Sequence, residues 1–253
     1  MKTLHQNEIE EGEISFFDNY YEGQAYNSTG WRLRLQRELR SLLHFVGKNP
    51  IGRVLSLGCG DGQFEIMLAP YAECVTGLDI SPQAISLARR KASDAGVDNV
   101  EFHCQRLSEM RWDETYDTVV CLAFLHHVPP TELLSLIHQI YNHLVPNGFF
   151  YSQDPNVNGV LRKIGRVIIP SRYEHYHSPD ERELDPNEIA ITLRQTGFSS
   201  ISIGYIDFTL IPALYILAKG PHWPLYVCAA FDWLLCHSPL APLASGFTLF
   251  SQK

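Results

Sequence analysis

The stretch that decides the fold is RVLSLGCGDGQFEIML, residues 53 to 68. Its apolar run at 54–57 is short and bounded by glycine, which is typical of a buried strand in a parallel sheet. Glycines follow at positions 58, 60 and 62, and residues 63–72 then carry apolar side chains at helical spacing. A strand, a glycine turn and a helix start bring the backbone close to a ligand. The stretch therefore predicts a ligand-binding cradle.

Strand and helix patterns alternate downstream of this cradle. The predicted strands are 54–57, 74–78, 100–104, 118–122 and 148–152, and the predicted helices between them are 63–72, 82–95 and 131–144. Strands that alternate with helices of this length indicate a doubly wound α/β fold with a parallel sheet.

The rest of the chain is predicted to surround this core within one domain spanning 1–253. Residues 1–50 form an N-terminal helical cap, with the strongest helical pattern at 13–46, and residues 51–155 form the ligand-binding core. Residues 156–253 form the acceptor-side region, with a helix at 186–196 and strands at 199–209 and 247–251. An apolar insertion at 208–244 lies before the last strand, where a short connection is usual.

Composition narrows the function classes. Hydrophobic residues make up 45% of the 253 residues, and the formal net charge is −8. That acidic balance argues against a protein that binds nucleic acid by neutralising phosphates. The six cysteines have no metal-type spacing, no apolar run reaches about 18 residues, and the N-terminus has no leader pattern. A cytoplasmic location is therefore expected.

An acidic residue follows the second predicted strand. Asp79 lies 21 residues after Gly58, where a carboxylate can accept both hydroxyls of a ribose. The alternative for Asp79 is a carboxylate at a helix N-terminus, but Ser81 is the better N-cap. A dinucleotide fingerprint requires a third glycine at position 63, which is Gln63 here. The pattern favours an adenosine-type ligand over NAD.

Four successive stretches resemble the motifs of class I S-adenosylmethionine-dependent methyltransferases. They read VLSLGCGDG, VTGLDISPQAISLARRKA, YDTVVCLAFLHHVPP and HLVPNGFFYSQDPN, and they cover about residues 50–155. The resemblance implies a Rossmann-like seven-stranded sheet whose last strand, 247–251, is antiparallel. It also implies S-adenosylmethionine as the cofactor. Ser56 departs from the Asp or Glu that is usual there, and we expect its hydroxyl to hydrogen-bond the backbone of the turn.

The resemblance also supplies a set of candidate cofactor-binding residues. Near the adenine, this chain has Gln105, Arg106 and Leu107 in place of the usual acidic residue. Tyr21 and Tyr26 lie in a region that closes over the cofactor in related methyltransferases. The complete predicted set is Ser56, Gly58, Cys59, Gly60, Asp79, Ile80, Gln105, Arg106, Leu107, Leu122, Tyr21 and Tyr26. No metal site is predicted, because the pair His175 and His177 is better explained by a polar loop.

His126 and His127 follow the fourth predicted strand, at the edge where open α/β sheets bind ligands. His127 is predicted either to shape the acceptor pocket and act as a general base, or to hold its loop through a structural hydrogen bond. Asp154 has a similar pair of alternatives, catalysis or an Asx-type turn before Pro155. A base is needed only for an acceptor that loses a proton, so the sequence does not choose between His127 and Asp154.

The leading function is methyl transfer to a small-molecule or lipid-like acceptor. The alternatives are a protein or nucleic-acid methyltransferase and a non-catalytic S-adenosylmethionine-binding regulator. The insertion at 208–244 is compatible with a helical pair on the sheet edge, a homodimer seam, a lid over an apolar acceptor, or peripheral membrane contact. A neighbouring basic segment could favour anionic headgroups through Arg162, Lys163, Arg166 and Arg172.

Overall fold

A seven-stranded sheet forms the centre of the chain, whose computed structural model describes residues 4–22, 29–47, 51–110, 114–168, 170, 178, 181–217 and 223–253. The strands are β1 (Arg53–Leu57), β2 (Cys74–Asp79), β3 (Val100–Cys104), β4 (Tyr116–Leu122), β5 (Leu144–Pro155), β6 (Ser199–Ile206) and β7 (Gly246–Gln252). Their order in the sheet is β3-β2-β1-β4-β5-β7-β6. The first five strands pair in parallel, whereas β7 runs antiparallel to both β5 and β6. The predicted sheet and its antiparallel last strand are confirmed.

Helices cover the sheet on both sides. They are α1 (Leu4–Glu22), α2 (Thr29–Val46), α3 (Gln63–Leu68), α4 (Pro82–Ala95), α5 (Pro130–His143), α6 (Val160–Ile168), α7 (Pro186–Thr196), α8 (Leu210–Leu217) and α9 (Trp223–Cys236). The helix predicted at 63–72 ends early, and a 3-10 turn spans Ala69–Tyr71. Pro70 has no backbone N–H to continue an α-helix, which explains the change. The strand predicted at 199–209 stops at Ile206, because Asp207 adopts a left-handed conformation with φ 61°.

Alternate residues of the strands supply two separate cores. Val54 and its neighbours on one sheet face pack against α2 and α3, whereas Leu55 and its neighbours on the other face pack against α5 and α7. Successive side chains of a strand point to opposite faces, so a strand buried on both faces is apolar throughout. This two-sided burial explains the apolar residues Val54, Leu55 and Leu57, and Ser56 is a buried polar residue among them.

The insertion forms two helices with unequal faces. Leu210, Leu214 and Leu225 are buried together against Trp31 of α2. The side chain of Asp232, on α9, accepts hydrogen bonds from the backbone N–H groups of Thr209 and Leu210, and so caps the start of α8. The opposite face of α9 is exposed and aromatic, with Trp223, Tyr226, Phe231 and Trp233. The helical pair is thus packed on one side only.

Within the described part of the chain, no helix combines the length and the apolar character that a membrane crossing requires.

Candidate functional site

A cavity of about 260 Å³ lies at the carboxyl edge of the parallel strands. Its wall includes the ends of four strands: Leu57 from β1, Asp79 from β2, Leu122 from β4 and Gln153 from β5. The sheet order reverses at β1, whose neighbours are β2 and β4. Open α/β sheets bind ligands at such a reversal, outside the carboxyl ends of the strands.

The glycine turn after β1 forms a narrow cradle beside this cavity. Gly58 and Gly60 have φ values of 72° and 53°, in the left-handed region that favours glycine. A Cβ at Gly58 would lie 2.5 Å from Cδ2 of Phe124, and a Cβ at Gly60 would lie 2.2 Å from Oη of Tyr21. Side chains are therefore excluded from both positions, which leaves the backbone open to a ligand.

Asp79 ends β2 with its carboxylate fixed by backbone donors. Oδ2 accepts a hydrogen bond from the N–H of Gly60 at 2.8 Å, and Oδ1 accepts one from the N–H of Ser81 at 2.9 Å. Burial raises the pKa of Asp79, although these backbone bonds favour the charged form. Ser81 caps α4 by accepting from the N–H of Ala84, as predicted. Each carboxylate oxygen keeps a lone pair for a ribose hydroxyl, so the cradle and Asp79 fit an adenosine ligand.

The predicted cofactor residues divide into two groups. Those that line the cavity are Gly58, Asp79, Ile80, Gln105, Arg106, Leu107, Leu122 and Tyr21. Ser56, Cys59 and Gly60 are not part of its wall, and Gly60 contributes instead through its N–H bond to Asp79. Tyr26 lies outside the described residues.

Ser56 does not bond the turn backbone as expected. Its hydroxyl donates instead to Oε1 of Glu65, on α3, at 2.6 Å. Burial raises the pKa of Glu65 to about 7, because the charged form loses its hydration. A buried carboxylate requires a donor, which is why Ser56 turns toward α3. The acidic group missing from position 56 is thus present behind the cradle on another element.

Cys59 faces the interior of the protein. It packs with Ile85, Ala88 and Phe102 under the glycine turn. Burial raises the pKa of the Cys59 thiol well above its ordinary value, so the group stays protonated. Cys59 therefore serves as a small apolar residue that supports the cradle.

Helix α1 covers the cavity as a lid. Of its residues that line the cavity, only Tyr21 is predicted from the sequence. One face of this helix lines the cavity with Glu10, Glu13, Phe16, Phe17, Tyr20 and Tyr21. Glu10 accepts a 2.6 Å ion-paired hydrogen bond from Arg106, and Asp18 accepts one from the hydroxyl of Ser81 at 2.5 Å. The lid is thus attached beside the cofactor residues.

The two histidines after β4 have different surroundings. Nδ1 of His126 lies 2.9 Å from Oδ1 of Asp154, which also accepts from the His126 backbone N–H at 3.2 Å. Asp154 is fully buried, does not line the cavity, and has a pKa raised well above its usual range by burial. His127 lines the cavity, and its Nδ1 lies 3.1 Å from Oε2 of Glu13 and 3.3 Å from Oγ of Ser178. His126 lines the cavity as well, but its Nδ1 faces Asp154; of the two predicted candidates for the base, only His127 is on the cavity wall.

A buried ionic network lines another part of the cavity wall. Nε of Arg34, on α2, donates to Asp207 at 2.9 Å, and Nη2 donates to Gln153. Arg37 also donates to Asp207, at 2.5 Å. Burial acts to raise the pKa of Asp207, but the Arg37 and Arg34 guanidiniums outweigh it and hold that pKa below its usual value. Trp31 lies against Arg34, with the guanidinium carbon 5.3 Å from the ring centroid.

Two arginines of the predicted basic segment are paired with carboxylates, whereas Lys163 is exposed. Arg162 donates to Glu181 at 2.7 Å and to Glu183 at 2.8 Å, and Arg166 donates to Glu183 at 2.6 Å. Arg172 lies outside the described residues. Because Glu181 and Glu183 follow in the polar segment after α6, Arg162 and Arg166 already have protein partners.

Three side chains beside the cavity have the types and the spacing of metal ligands. His126, His127 and Glu181 each offer a ligand atom, and these atoms lie within 4.8 Å of one another. Arg162 already supplies a positive charge to Glu181. His175 and His177 lie outside the described residues.

Comparisons with known proteins agree with this geometry. A family model described as a methyltransferase domain matches residues 54–148. The ubiquinone biosynthesis O-methyltransferase of Bordetella avium is 27% identical over 180 residues, covering 66% of this chain and 70% of that protein. The protein of the same name from Aliivibrio fischeri is 26% identical over 198 residues, covering 74% and 80%.

Solved structures show the same fold. Magnesium protoporphyrin IX methyltransferase of Synechocystis, with bound S-adenosylhomocysteine, has a TM-score of 0.63 at 17% identity, covering 97% of this chain and 99% of that one. The N-methyltransferase NodS of Bradyrhizobium japonicum has a TM-score of 0.57 at 14% identity, covering 90% and 89%. The glycine cradle, the Asp79 carboxylate and the matched domain lead to one conclusion: the chain is an S-adenosylmethionine-dependent methyltransferase that acts on a small-molecule acceptor, and its fold is that of the class I enzymes.

Proposed function

We propose that this enzyme methylates a hydroxyl oxygen on an aromatic acceptor that carries an apolar portion. The observation that carries the proposal is the place of His127, a base candidate on the wall of the same cavity as Gly58 and Asp79. Aromatic side chains also line this cavity, including Phe16, Phe17 and Phe124. The relatives named above are O-methyltransferases of ubiquinone biosynthesis, which supports a hydroxyl oxygen as the acceptor atom.

The cofactor side of the proposal follows from the cradle. S-adenosylmethionine, when bound, supplies an electrophilic methyl group on a positively charged sulfur. Asp79 would accept hydrogen bonds from the ribose hydroxyls, and the backbone at Gly58 and Gly60 would leave room for the amino-acid part of the cofactor. Gln105, Arg106 and Leu107 with Ile80 surround the base, while Leu122 and Tyr21 close the cavity. Tyr26 stays a predicted lid contact.

The acceptor side depends on proton removal and on the exclusion of water. A phenolic hydroxyl becomes a stronger nucleophile as it loses its proton, so a base near neutrality speeds its methylation. His127 takes this proton at Nε2, because its Nδ1 faces Glu13 and Ser178. The lid helix α1 keeps water from the reacting groups. Asp154 acts indirectly by holding the His126 backbone and ring, which fixes the loop that carries His127.

The experiment compares His127→Asn with the unaltered enzyme. Methyl transfer is measured on a catechol with a farnesyl side chain and on unsubstituted catechol, and S-adenosylhomocysteine affinity is measured by calorimetry. We expect His127→Asn to bind S-adenosylhomocysteine normally but to lose about 100-fold in kcat. The farnesyl compound should have the lower KM. Full activity in His127→Asn excludes the base role, and an absence of transfer to any small aromatic hydroxyl in the unaltered enzyme excludes this acceptor class.

We also propose peripheral membrane contact through the exposed face of α9. Trp223 and Trp233 are 68% and 66% exposed there, and Val167 and Ile168 at the end of α6 are exposed as well. Aromatic and aliphatic side chains together suit the membrane interface. Because Arg162 and Arg166 are paired with acidic residues, binding should depend on these apolar groups and not on lipid charge.

Vesicle flotation tests this contact. Neutral phosphatidylcholine vesicles should bind the enzyme to the same extent as anionic vesicles that contain phosphatidylglycerol. The double variant Trp223→Ser with Trp233→Ser should stay in the soluble fraction. If the unaltered enzyme does not float, the membrane proposal fails. Sedimentation of a dimer that the double variant abolishes would assign the face to a homodimer seam.

A further inference from the structure

The lid helix brings a buried carboxylate to His127. Glu13, on α1, is 8% exposed, and its Oε1 accepts a hydrogen bond from Oγ of Ser178 at 2.6 Å. Its Oε2 lies 3.1 Å from Nδ1 of His127. Among the residues that the structure describes, no donor makes a well-aligned hydrogen bond to this oxygen. An unsatisfied buried carboxylate oxygen is costly, so a small rotation of the imidazole that aims Nδ1–H at Oε2 is favourable.

The spacing along α1 places two side chains on the same imidazole. Glu13 and Phe17 are four residues apart, so they lie on one face of the helix. The ring of Phe17 meets the His127 ring edge to face, with centroids 5.3 Å apart. The carboxylate and the aromatic ring therefore fix both the direction and the plane of the imidazole.

We infer that Glu13 is a positioning residue for His127, and this inference rests on the proposed base. A proton held on Nδ1 by Glu13 leaves Nε2 as the acceptor that faces the hydroxyl. In the transfer step the acceptor oxygen bonds to the methyl carbon as the C–S bond breaks, and the hydroxyl proton moves to Nε2. The carboxylate of Glu13 stabilises the imidazolium until solvent removes the proton.

This arrangement makes the base depend on the lid. Glu13 reaches His127 only while α1 is docked, and α1 is docked through Asp18 on Ser81 and Glu10 on Arg106, beside the cofactor cradle. The base is therefore complete only when the cofactor side is covered.

The other charged groups near the imidazole do not change in the test. They are Asp79 from β2, His126 from the same loop, and Glu181, whose partner is Arg162. All of them stay in place when Glu13 alone is replaced, so a change in the pH–rate profile reports on Glu13.

The test compares Glu13→Gln with Glu11→Gln, which removes the same charge from a residue of α1 that is 73% exposed; Glu11 lies 3.5 Å from Arg106, which keeps its 2.6 Å partner Glu10 in this variant. The probe is the farnesylated catechol. We expect Glu13→Gln to lower kcat about 10- to 100-fold with KM and S-adenosylhomocysteine affinity nearly unchanged. The acid limb of its pH–rate profile should move to lower pH, because the imidazolium loses its carboxylate. Glu11→Gln should stay within about twofold of the unaltered enzyme.

Three results separate the possible failures. Unaltered kcat in Glu13→Gln, with an inactive His127→Asn, overturns the inference while the proposed base stands. Full activity in His127→Asn overturns both. Activity that EDTA removes and Zn²⁺ restores would make His127 a metal ligand with His126 and Glu181, and would also overturn the inference. If Glu13→Gln does not fold, Glu13→Met, which is similar in size and also removes the carboxylate, should give the same pH shift, and the absence of that shift contradicts the inference.

Discussion

The two sides of the cavity are built on different principles. On the cofactor side, one carboxylate and a few backbone N–H groups suffice, and Gly60 and Asp79 are only 19 residues apart. On the acceptor side, side chains pair over long sequence distances: Arg34 with Asp207 across 173 residues and Glu13 with Ser178 across 165. Backbone donors are present whatever the residue, whereas side-chain pairs change with each substitution. The cofactor side is therefore fixed by a local motif, and the acceptor side can be altered to suit another acceptor.

The largest effect is expected from breaking the acceptor-side network. Asp207→Asn removes the charge that Arg34 and Arg37 share, and asparagine tolerates the left-handed backbone at this position. The buried guanidinium of Arg34 and the partly buried one of Arg37 then have less compensation, so the free energy of unfolding should fall by about 3–5 kcal/mol in urea titrations.

An exposed ion pair provides the matched control for Asp207→Asn. Glu114 pairs with Arg53 at the surface, where its side chain is 56% exposed. Glu114→Gln should change the free energy of unfolding by less than about 1 kcal/mol. Equal losses in the two variants would contradict a special role for the buried network.

The next effect concerns the carboxylate behind the cradle. Burial raises the pKa of Glu65 from 4.5 to about 7, so the folded state holds this proton more tightly than the unfolded chain does. The stabilisation that this proton provides is present below about pH 4.5 and is lost as pH rises through 7. The Glu65→Gln variant has no titrating group at this position, so it should lack this pH-dependent stabilisation of about 3 kcal/mol.

The measurement for Glu65 is the free energy of unfolding of both proteins at several values between pH 5 and pH 8. Relative to the unaltered enzyme, Glu65→Gln should gain stability from pH 5 to about pH 7 and should level off above it. Parallel curves would show that Glu65 titrates normally and that the hydrogen bond from Ser56 keeps it charged.

The smallest effect is expected on the outer face of the insertion. Trp223→Ser with Trp233→Ser should change the free energy of unfolding by about 0.5 kcal/mol or less per site, because both indoles are largely exposed. Leu225→Ala, on the buried face of the same helix, should cost about 2–5 kcal/mol. Thermal unfolding of the three proteins distinguishes the faces, and a large loss in the tryptophan variant would mean that the outer face is packed.

The same contrast explains what could be predicted from the sequence. The strands β1 to β4 agree with prediction to within two residues; β1, β2 and β4 have the apolar character of buried parallel strands, and the edge strand β3 alternates polar and apolar residues. The cradle and Asp79 were also predicted, since strand, turn and carboxylate lie within one short segment. Local patterns extend only a few residues, and these features are local.

The acceptor-side residues could not be predicted for the same reason. Glu13 is one acidic residue in an acidic N-terminal segment, and only the docking of α1 places it beside His127. Arg34 occurs in a helix with several arginines, and its partner Asp207 follows a strand near the other end of the chain. Glu65 was missed because the motif directs attention to position 56, while the carboxylate comes from the following helix.

The central claim is that the cradle binds S-adenosylmethionine through Asp79, and calorimetric titration with S-adenosylhomocysteine tests it most directly. The unaltered enzyme should bind this ligand and should give no heat with NAD, because Gln63 occupies the position where a dinucleotide turn requires glycine. Asp79→Ala should weaken binding by about 1–3 kcal/mol through the loss of charged hydrogen bonds to the ribose. Equal affinity in a folded Asp79→Ala protein, or NAD binding that competes with S-adenosylhomocysteine, would contradict the account.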